Sequence, residues 1–172
     1  MGKFKDKLLL ITGIIVFILV CIMIFFFNSG SLNIKKYKNN YYSFKYDSAW
    51  KLKKNKEEIV LTHKKSKGKI TVTYKLLDTY LIDLKIKDIL NDLNYEIEKQ
   101  NKDYKLINRE YNDKDDSYKL LYEKDNEECL VNIFKKDNVL LIVYYNSNTK
   151  YFDITMDSLD IILDTLVIYS GE

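Results

Sequence analysis

The 172-residue chain has few of the residue types that build metal and redox sites, with two Cys and one His. Cys21 lies inside an apolar segment and Cys129 in the more polar remainder, so the two cannot easily meet and we predict no disulfide. The single His, His63, and the single Cys outside the apolar segment, Cys129, are too few ligands for a zinc site. The chain also lacks a recognisable catalytic or nucleotide motif, and we predict no cofactor, no metal ion and no enzymatic activity.

Proline is absent, and Arg109 is the only arginine among 28 basic residues. The strong use of Lys, Asn, Ile and Tyr is typical of a protein from an AT-rich bacterial genome. With 47% hydrophobic and 31% charged residues, the composition is that of a globular protein rather than a disordered one. The residues after position 27 suit one domain of ordinary size, which can build a core without a disulfide or a metal ion.

Charge is divided unevenly along the chain. Residues 28–75 contain 13 Lys against three acidic residues, a balance of +10. Residues 76–172 contain 12 basic and 21 acidic residues, a balance of −9. The two halves form either complementary faces that meet or a dipolar surface, and solvated Lys on strands and turns is the simpler interpretation.

An uncharged apolar run, Leu8–Phe27, has Thr12 as its only polar side chain. A helix of this length spans about 30 Å, the thickness of a hydrocarbon core. Its many Leu, Ile, Val and Phe residues each favour insertion. We therefore predict one transmembrane helix over 8–27, with the lipid bilayer as its partner, then a linker over 28–40 and a domain over 41–172.

The charges that flank this run bear on orientation. The Lys residues on its N-terminal side are Lys3, Lys5 and Lys7, and those on its C-terminal side are Lys35, Lys36 and Lys38. The first group predicts that residues 1–7 are cytoplasmic and that the domain lies outside the cell membrane, although the second group nearly balances it. Cleavage by signal peptidase after Gly30 would put Asn28 at the −3 position, where a small residue is usual. We therefore expect an uncleaved signal anchor. In that location nucleic acid is not an expected partner, whereas another envelope protein is.

Hydrophobic spacing predicts an α+β domain, with strands where apolar residues alternate and helices over 86–101 and 151–166. The first strand, from 41, ends at an Asp47-Ser48 turn with Trp50 at the turn exit. The other strands are predicted over 58–63, 70–76, 104–111, 118–124, 129–135 and 139–145. A hairpin and a four-strand meander indicate an antiparallel sheet of about six to seven strands packed with two main helices. Asn148 or Thr149 is expected to cap the second helix.

The order of elements resembles the PsbP/Mog1-like fold, in particular bacterial PsbP-related domains. The similarity rests on an aromatic strand followed by a turn and a Trp, YYSFKYDSAWKL (41–52), and on a closing helix that leads into a short apolar strand, IILDTLVI (161–168). It covers about 41–169, and Ser48-Ala49 stand where the family commonly has a Pro before the Trp. The resemblance implies a binding or assembly module, an accessory subunit or a partner of GTPases, without a shared catalytic site.

Few residues are candidates for chemistry. A lone His63 at a strand end and Cys129 on an alternating strand are more often structural than catalytic. Asp113, Asp115 and Asp116 have the spacing that begins a calcium loop, but Tyr118 and Lys124 replace the Gly and Glu that such a loop needs. We therefore predict an acidic hairpin turn.

Three hypotheses for the function remain. The first is a membrane-anchored binding or scaffold module without catalytic activity. Its expected partner or lipid-contact surface comprises Lys35, Lys36, Lys38, Tyr41 and Tyr42, because exposed Tyr favours intermolecular contact. The second is a cell-envelope hydrolase or wall-modifying enzyme that uses carboxylates such as Asp113, Asp115 or Glu123. The third is a lipid or envelope-stress sensor that uses the basic region 35–75.

Overall fold

The computed structural model describes Ile18 and residues 33–55, 58–89, 99 and 102–170. By its internal contacts the chain divides into two units, Met1–Asn33 and Ile34–Glu172. The predicted anchor, Leu8–Phe27, lies outside the described residues except for Ile18. Within the part of the chain that the structure describes, no helix has both the length and the apolar character needed to cross a membrane.

The second unit contains ten strands in its described residues. They are β1 (Ile34–Lys38), β2 (Tyr42–Asp47), β3 (Trp50–Lys54), β4 (Glu58–His63), β5 (Lys69–Leu76), β6 (Lys105–Asn112), β7 (Ser117–Lys124), β8 (Glu127–Lys136), β9 (Val139–Asn148) and β10 (Val167–Ile168). A short 3-10 helix covers Thr79–Leu81, and the α-helix α1 covers Thr149–Asp164. Residues 86–89 and Lys99 are also helical, inside the helix predicted over 86–101.

All pairs among these ten described strands are antiparallel, and the strands form two sheets. The small sheet has the order β1-β2-β10, and the large sheet has the order β3-β4-β5-β9-β8-β7-β6. The predicted α+β class, the hairpin over 58–76 and the four-strand meander are confirmed. The meander turns contain Asp116, Asp125 and Asp137 at positive φ, a conformation that Asp tolerates better than most residues.

The described residues form ten strands rather than the six to seven expected, because short strands carry little sequence signal. Residues 34–38, predicted as part of the linker, form β1, an edge strand in which only Tyr37 is partly buried. Trp50, predicted at a turn exit, begins β3, where Trp50 and Leu52 alternate with exposed Lys. A strand with two inward apolar residues has too short a pattern to be distinguished from a turn.

Both faces of the large sheet bury apolar residues. On one face, alternate residues of β4, β5 and β9 pack against β2 and against Phe152, Leu159 and Ile162 of α1. On the other face, alternate residues of β7, β8 and β9 pack against Leu77, Ile86 and Ile89. Successive residues of β9 point to opposite faces, so Leu141 belongs to one core cluster and Leu140 to the other. Strand β9 therefore contributes to both clusters.

Helix α1 begins two residues earlier than predicted. The Asn148 side chain accepts a hydrogen bond from the Lys150 N–H, so Asn148 is the N-cap. The Tyr145 hydroxyl donates to the Phe152 carbonyl oxygen over 3.0 Å and bonds to the Thr155 hydroxyl, which fixes the first turn of the helix on the sheet. The chain then returns to the small sheet as β10, the short apolar strand that the family resemblance implied.

The sheet order also shows where the basic and acidic halves of the sequence lie in the domain. Strands β3, β4 and β5, which come from the basic half of the sequence, form one end of the large sheet, and β6, β7 and β8 from the acidic half form the other. Helix α1 and β10, also from the acidic half, lie against β2 of the basic half, so parts of the two halves meet as well.

Candidate binding pocket

One end of the domain has an open pocket of about 220 Å³, which we call the tyrosine pocket. It lies where the β1–β2 turn meets the β3–β4 turn. The residues that line it are Tyr37, Asn39, Asn40, Tyr41, Tyr42, Lys54, Asn55, Glu58, Ile59 and Tyr74. Three separate chain segments therefore build the site, and sheet pairing brings them together.

Asn39 shapes the first wall of the tyrosine pocket. Its side-chain oxygen accepts hydrogen bonds from the backbone N–H groups of Tyr41 and Tyr42, over 2.9 and 2.8 Å. The Asn39 N–H donates to the Tyr42 carbonyl oxygen over 3.0 Å. Asn forms such turns readily because its short side chain reaches the backbone two or three residues ahead. The turn fixes where Asn40 and Tyr41 stand.

The second wall of the tyrosine pocket is formed between β3 and β4, where another Asn side chain makes a local hydrogen bond. The Asn55 side-chain amide donates to the Glu58 carboxylate over 2.7 Å, and the Asn55 backbone N–H donates to the Glu58 carbonyl oxygen over 3.0 Å. Lys54 ends β3 and Glu58 begins β4, so both charges lie at this rim.

Aromatic rings form the rest of the lining. The rings of Tyr41 and Tyr74 stack with centroids 4.4 Å apart, and the Tyr37 ring lies 5.8 Å from that of Tyr42. Tyr42 is only 1% exposed, and burial, followed by the nearby Tyr37, raises the pKa of its hydroxyl well above the ordinary value. Because the rings support one another and the core, the aromatic part of the site is formed before any ligand arrives.

Several polar groups of the pocket have capacity left for a ligand. Asn40 and Lys54 are exposed, Tyr37 and Tyr41 are half-buried, and the side-chain polar groups of these four have no hydrogen-bond partner among the described residues. No Cys, His or Ser lies in the described lining. The arrangement is therefore equipped for non-covalent binding.

The five residues predicted to form one contact surface do not lie together in the structure. Tyr41 lines the pocket as a half-buried ring, but Tyr42 belongs to the core, which corrects its assignment as a surface contact. Sequence reasoning missed the other lining residues because their common position depends on strand pairing. The Asn-Asn-Tyr-Tyr run at 39–42 was the one local signal of a turn at this place.

Lys36 and Lys38 lie on the outer face of the small sheet, away from the core. Lys36 is opposite Lys45, and Lys38 is opposite Ser43, so their side chains share this face. The Lys38 ammonium stands 5.2 Å from the centre of the Tyr169 ring. Exposed Ile34 (40%) and Val167 (47%) are at the same face, which we call the basic sheet face. Lys35 alternates to the other side of the exposed edge strand β1.

The acidic turn, residues 112–117, connects β6 to β7, and its carboxylates have hydrogen-bond partners within the protein. Asp113 accepts a hydrogen bond from the Lys85 ammonium over 2.6 Å, which lowers the pKa of this carboxyl. Asp116 accepts from the Ile86 N–H, at the start of the helical residues, and from the Tyr111 hydroxyl, both over 3.0 Å. Asp115 accepts from the Asn112 side chain, so all three Asp residues of the turn are hydrogen-bonded within the protein. In the described residues no cluster of three or more metal-ligating side chains occurs.

The carboxylates named for a hydrolase do not converge. Asp113 and Asp115 are exposed in the acidic turn at the start of β7, whereas Glu123 is exposed near the end of the same strand. The six residue steps of extended strand from Ser117 to Glu123 span roughly 20 Å, so Glu123 does not share a pocket with Asp113 and Asp115.

His63 and Cys129 have structural positions. The Nδ1 atom of His63 accepts a hydrogen bond from the Ser66 N–H over 3.1 Å, and its ring packs 5.1 Å from Trp50. Burial lowers the pKa of His63. Cys129 is fully buried in the core, and burial raises the pKa of its thiol to about 12, which removes the thiolate needed for nucleophilic chemistry.

These features first define a class: an antiparallel α+β domain with a preformed surface pocket. The particular fold is PsbP-like, as the family resemblance in the sequence implied. The domain is similar to the solved structure of cyanobacterial PsbP from Synechocystis, with 17% identity and a TM-score of 0.63 over 81% of this chain and 95% of that one. It is also similar to a protein of unknown function from Pseudomonas aeruginosa, with 14% identity and a TM-score of 0.52 over 80% and 99%.

No protein-family model and no curated protein matches the chain. At these identities the likeness to solved structures concerns the fold. The functional argument therefore rests on the residues of the tyrosine pocket and its surroundings.

Proposed function

We propose that the protein is a single-pass, membrane-anchored binding module without catalytic activity, displayed outside the cytoplasm. The observation that supports this most is the tyrosine pocket, which is preformed and keeps polar groups available, and whose described lining contains no Cys, His or Ser. The candidate reactive residues elsewhere support the same proposal, because His63 and Cys129 serve the turn and the core. The PsbP-like fold agrees with a binding or scaffold role.

The anchor in this proposal is Leu8–Phe27 in the sequence. The domain begins with β1 at Ile34, so a tether of a few residues connects the two.

Membrane anchoring is tested by carbonate extraction of cell membranes that contain the full chain with a C-terminal epitope tag. We expect the protein to stay in the pellet and the tag to be removed when intact cells or protoplasts are treated with protease. Replacing Ile15 and Val16 by Lys should release the protein, because each central charge costs about 2.5–3.5 kcal/mol on insertion. The matched control replaces both with Leu. Release of the wild-type chain, or a tag that is protected from protease, would contradict the proposal.

Binding is tested by chemical cross-linking on intact membranes, followed by recovery of the tagged full chain. We expect an envelope component to be recovered with it, and its yield to fall in Asn40→Ala. Asn126→Ala is the matched control, because Asn126 is an exposed turn residue in the β7–β8 hairpin. Recovery of the protein alone, or equal recovery with both variants, would count against a binding module centred on the pocket.

The basic sheet face supports a second candidate role, contact with anionic lipid. Lys36, Lys38 and Lys45 are exposed beside Ile34 and Val167, and each Lys near an anionic bilayer contributes about 1 kcal/mol. Hydrogen exchange of residues 34–45 in the full chain should slow in phosphatidylserine nanodiscs relative to phosphatidylcholine nanodiscs, and the difference should vanish at high salt. Equal exchange in both lipids would exclude this role.

A further inference from the structure

We propose that the tyrosine pocket binds one ring of an uncharged carbohydrate chain. This inference rests on the proposed binding function and gives it a ligand class. The pocket combines aromatic rings with amide groups and a balanced pair of charges, and each of these features bears separately on the ligand.

The aromatic rings provide an apolar platform. Tyr41 is held by its stack on Tyr74, and Tyr37 packs against buried Tyr42 and Phe44. One face of a pyranose ring exposes mainly C–H groups, and such a face packs well on a Tyr ring. Because the platform is supported from beneath, binding does not require the rings to be ordered first.

The polar groups around the platform match hydroxyl groups. A sugar hydroxyl both donates and accepts, so its complement is a mixed set of donors and acceptors. Asn40 offers an amide with both functions, Lys54 is a donor, and the Glu58 carboxylate is an acceptor with one oxygen already held by Asn55. The hydroxyls of Tyr37 and Tyr41 can act in either sense.

Charge in the described lining disfavours an ionic ligand. Lys54 and Glu58 are the two charged residues among the lining groups and have opposite signs. An anion would be attracted by one and repelled by the other, and the same applies to a cation. A polar ligand without net charge avoids this opposition.

The size of the pocket limits how much of the ligand enters it. A volume of about 220 Å³ lies below the roughly 300–1,000 Å³ of sites that enclose a whole small molecule. The pocket is also open at the surface. One ring of a longer chain can therefore occupy it while the neighbouring rings continue outside.

The test is saturation-transfer difference NMR with the full chain in phosphatidylcholine nanodiscs, prepared without glycoside detergents. The probes are the tetramer of N-acetylglucosamine and maltotetraose. We expect transfer to the ring protons of at least one probe. Asn40→Ala should weaken that affinity roughly two- to tenfold, the effect of one lost neutral hydrogen bond. Tyr41→Ala should weaken it by about tenfold or more.

Matched controls separate binding from folding. Tyr80→Ala removes a Tyr that is 74% exposed on the 3-10 helix, and Asn126→Ala removes an exposed turn amide, so both should keep wild-type transfer. Tyr41→Phe keeps the stack on Tyr74 and provides a second pocket variant if Tyr41→Ala melts early. Absence of transfer to both probes from a chain with a cooperative melting transition would overturn the carbohydrate assignment. Equal transfer with Asn40→Ala and Tyr41→Phe would overturn the assignment to this pocket.

Failure of this inference is distinguishable from failure of the proposed function. A protein partner that cross-links to the wild-type chain and is lost with Asn40→Ala, together with no transfer to either probe, would show that the ligand is a polypeptide. The binding module would then stand and the carbohydrate inference would fall. If the wild-type chain showed neither a cross-linked partner nor transfer to a carbohydrate probe, both the binding function and the carbohydrate inference would be wrong.

Discussion

The tyrosine pocket and the acidic turn have similar compositions but opposite uses of their polar groups. Both place Asn and acidic residues next to Tyr in turns between strands. In the acidic turn, Asp113, Asp115 and Asp116 each accept a hydrogen bond from the protein itself. In the pocket, Asn39 and Asn55 hold the turns, while Asn40 and Lys54 remain available. Composition alone therefore does not identify a site, whereas knowing which groups are already bonded does.

The largest effect is expected at Asp116, which should be structural. Asp116→Ala removes the acceptor for the Ile86 N–H and the Tyr111 hydroxyl at a residue with φ of 43°. We expect the free energy of unfolding to fall by about 2 kcal/mol, as for a lost helix cap with added backbone strain. Denaturant unfolding measures this. Asp116→Asn keeps an acceptor and tolerates positive φ, so it should lose less; a larger loss with Asn than with Ala would contradict the assignment.

A smaller effect on stability is expected at Asn39, which holds the turn that positions the binding residues. Asn39→Ala removes the acceptor for the N–H groups of Tyr41 and Tyr42, which should cost about 1 kcal/mol and weaken ligand binding as well. Asn40→Ala, one residue away, should weaken binding without a change in stability. Thermal melts and cross-linking yields of the two variants measure this pair. If Asn40→Ala destabilised the chain as much as Asn39→Ala, it would be wrong to assign a structural role to Asn39 and a ligand-binding role to Asn40.

The smallest effect is expected from the exposed pair of Asp113 and Lys85. The hydrogen bond from Lys85, followed by its charge, lowers the pKa of Asp113 in the folded chain below the unfolded value of about 3.9. Its contribution to stability is therefore present above that pH and is lost as the pH falls through the lowered pKa. The melting temperature of Asp113→Asn should lie slightly below that of wild type at pH 7, and the two should converge in acid. A difference that grows on acidification would have the wrong sign.

Much of the fold could be predicted from the sequence because its longer strands have a clear apolar pattern. Residues 118–124 in β7 alternate, and residues 139–145 in β9 form a continuous apolar run that is buried on both faces. Strands β1 and β3 were not predicted, because each has at most two inward apolar residues. The pocket could not be predicted, since Tyr41, Lys54 and Tyr74 are far apart in sequence and meet only through strand pairing. The structural role of the acidic turn was foreseen, but its bond to the Ile86 N–H was not.

The most direct test of the central claim compares the two regions in one experiment. A photo-reactive amino acid replaces Asn40 in one full chain and Asp115 in another, because both side chains are exposed in turns. Membranes that contain each chain are irradiated, and adducts are separated by size. We expect adducts with an envelope component from position 40 and none from position 115. Adducts from position 115 alone, or equal adducts from both positions, would contradict the assignment of binding to the tyrosine pocket.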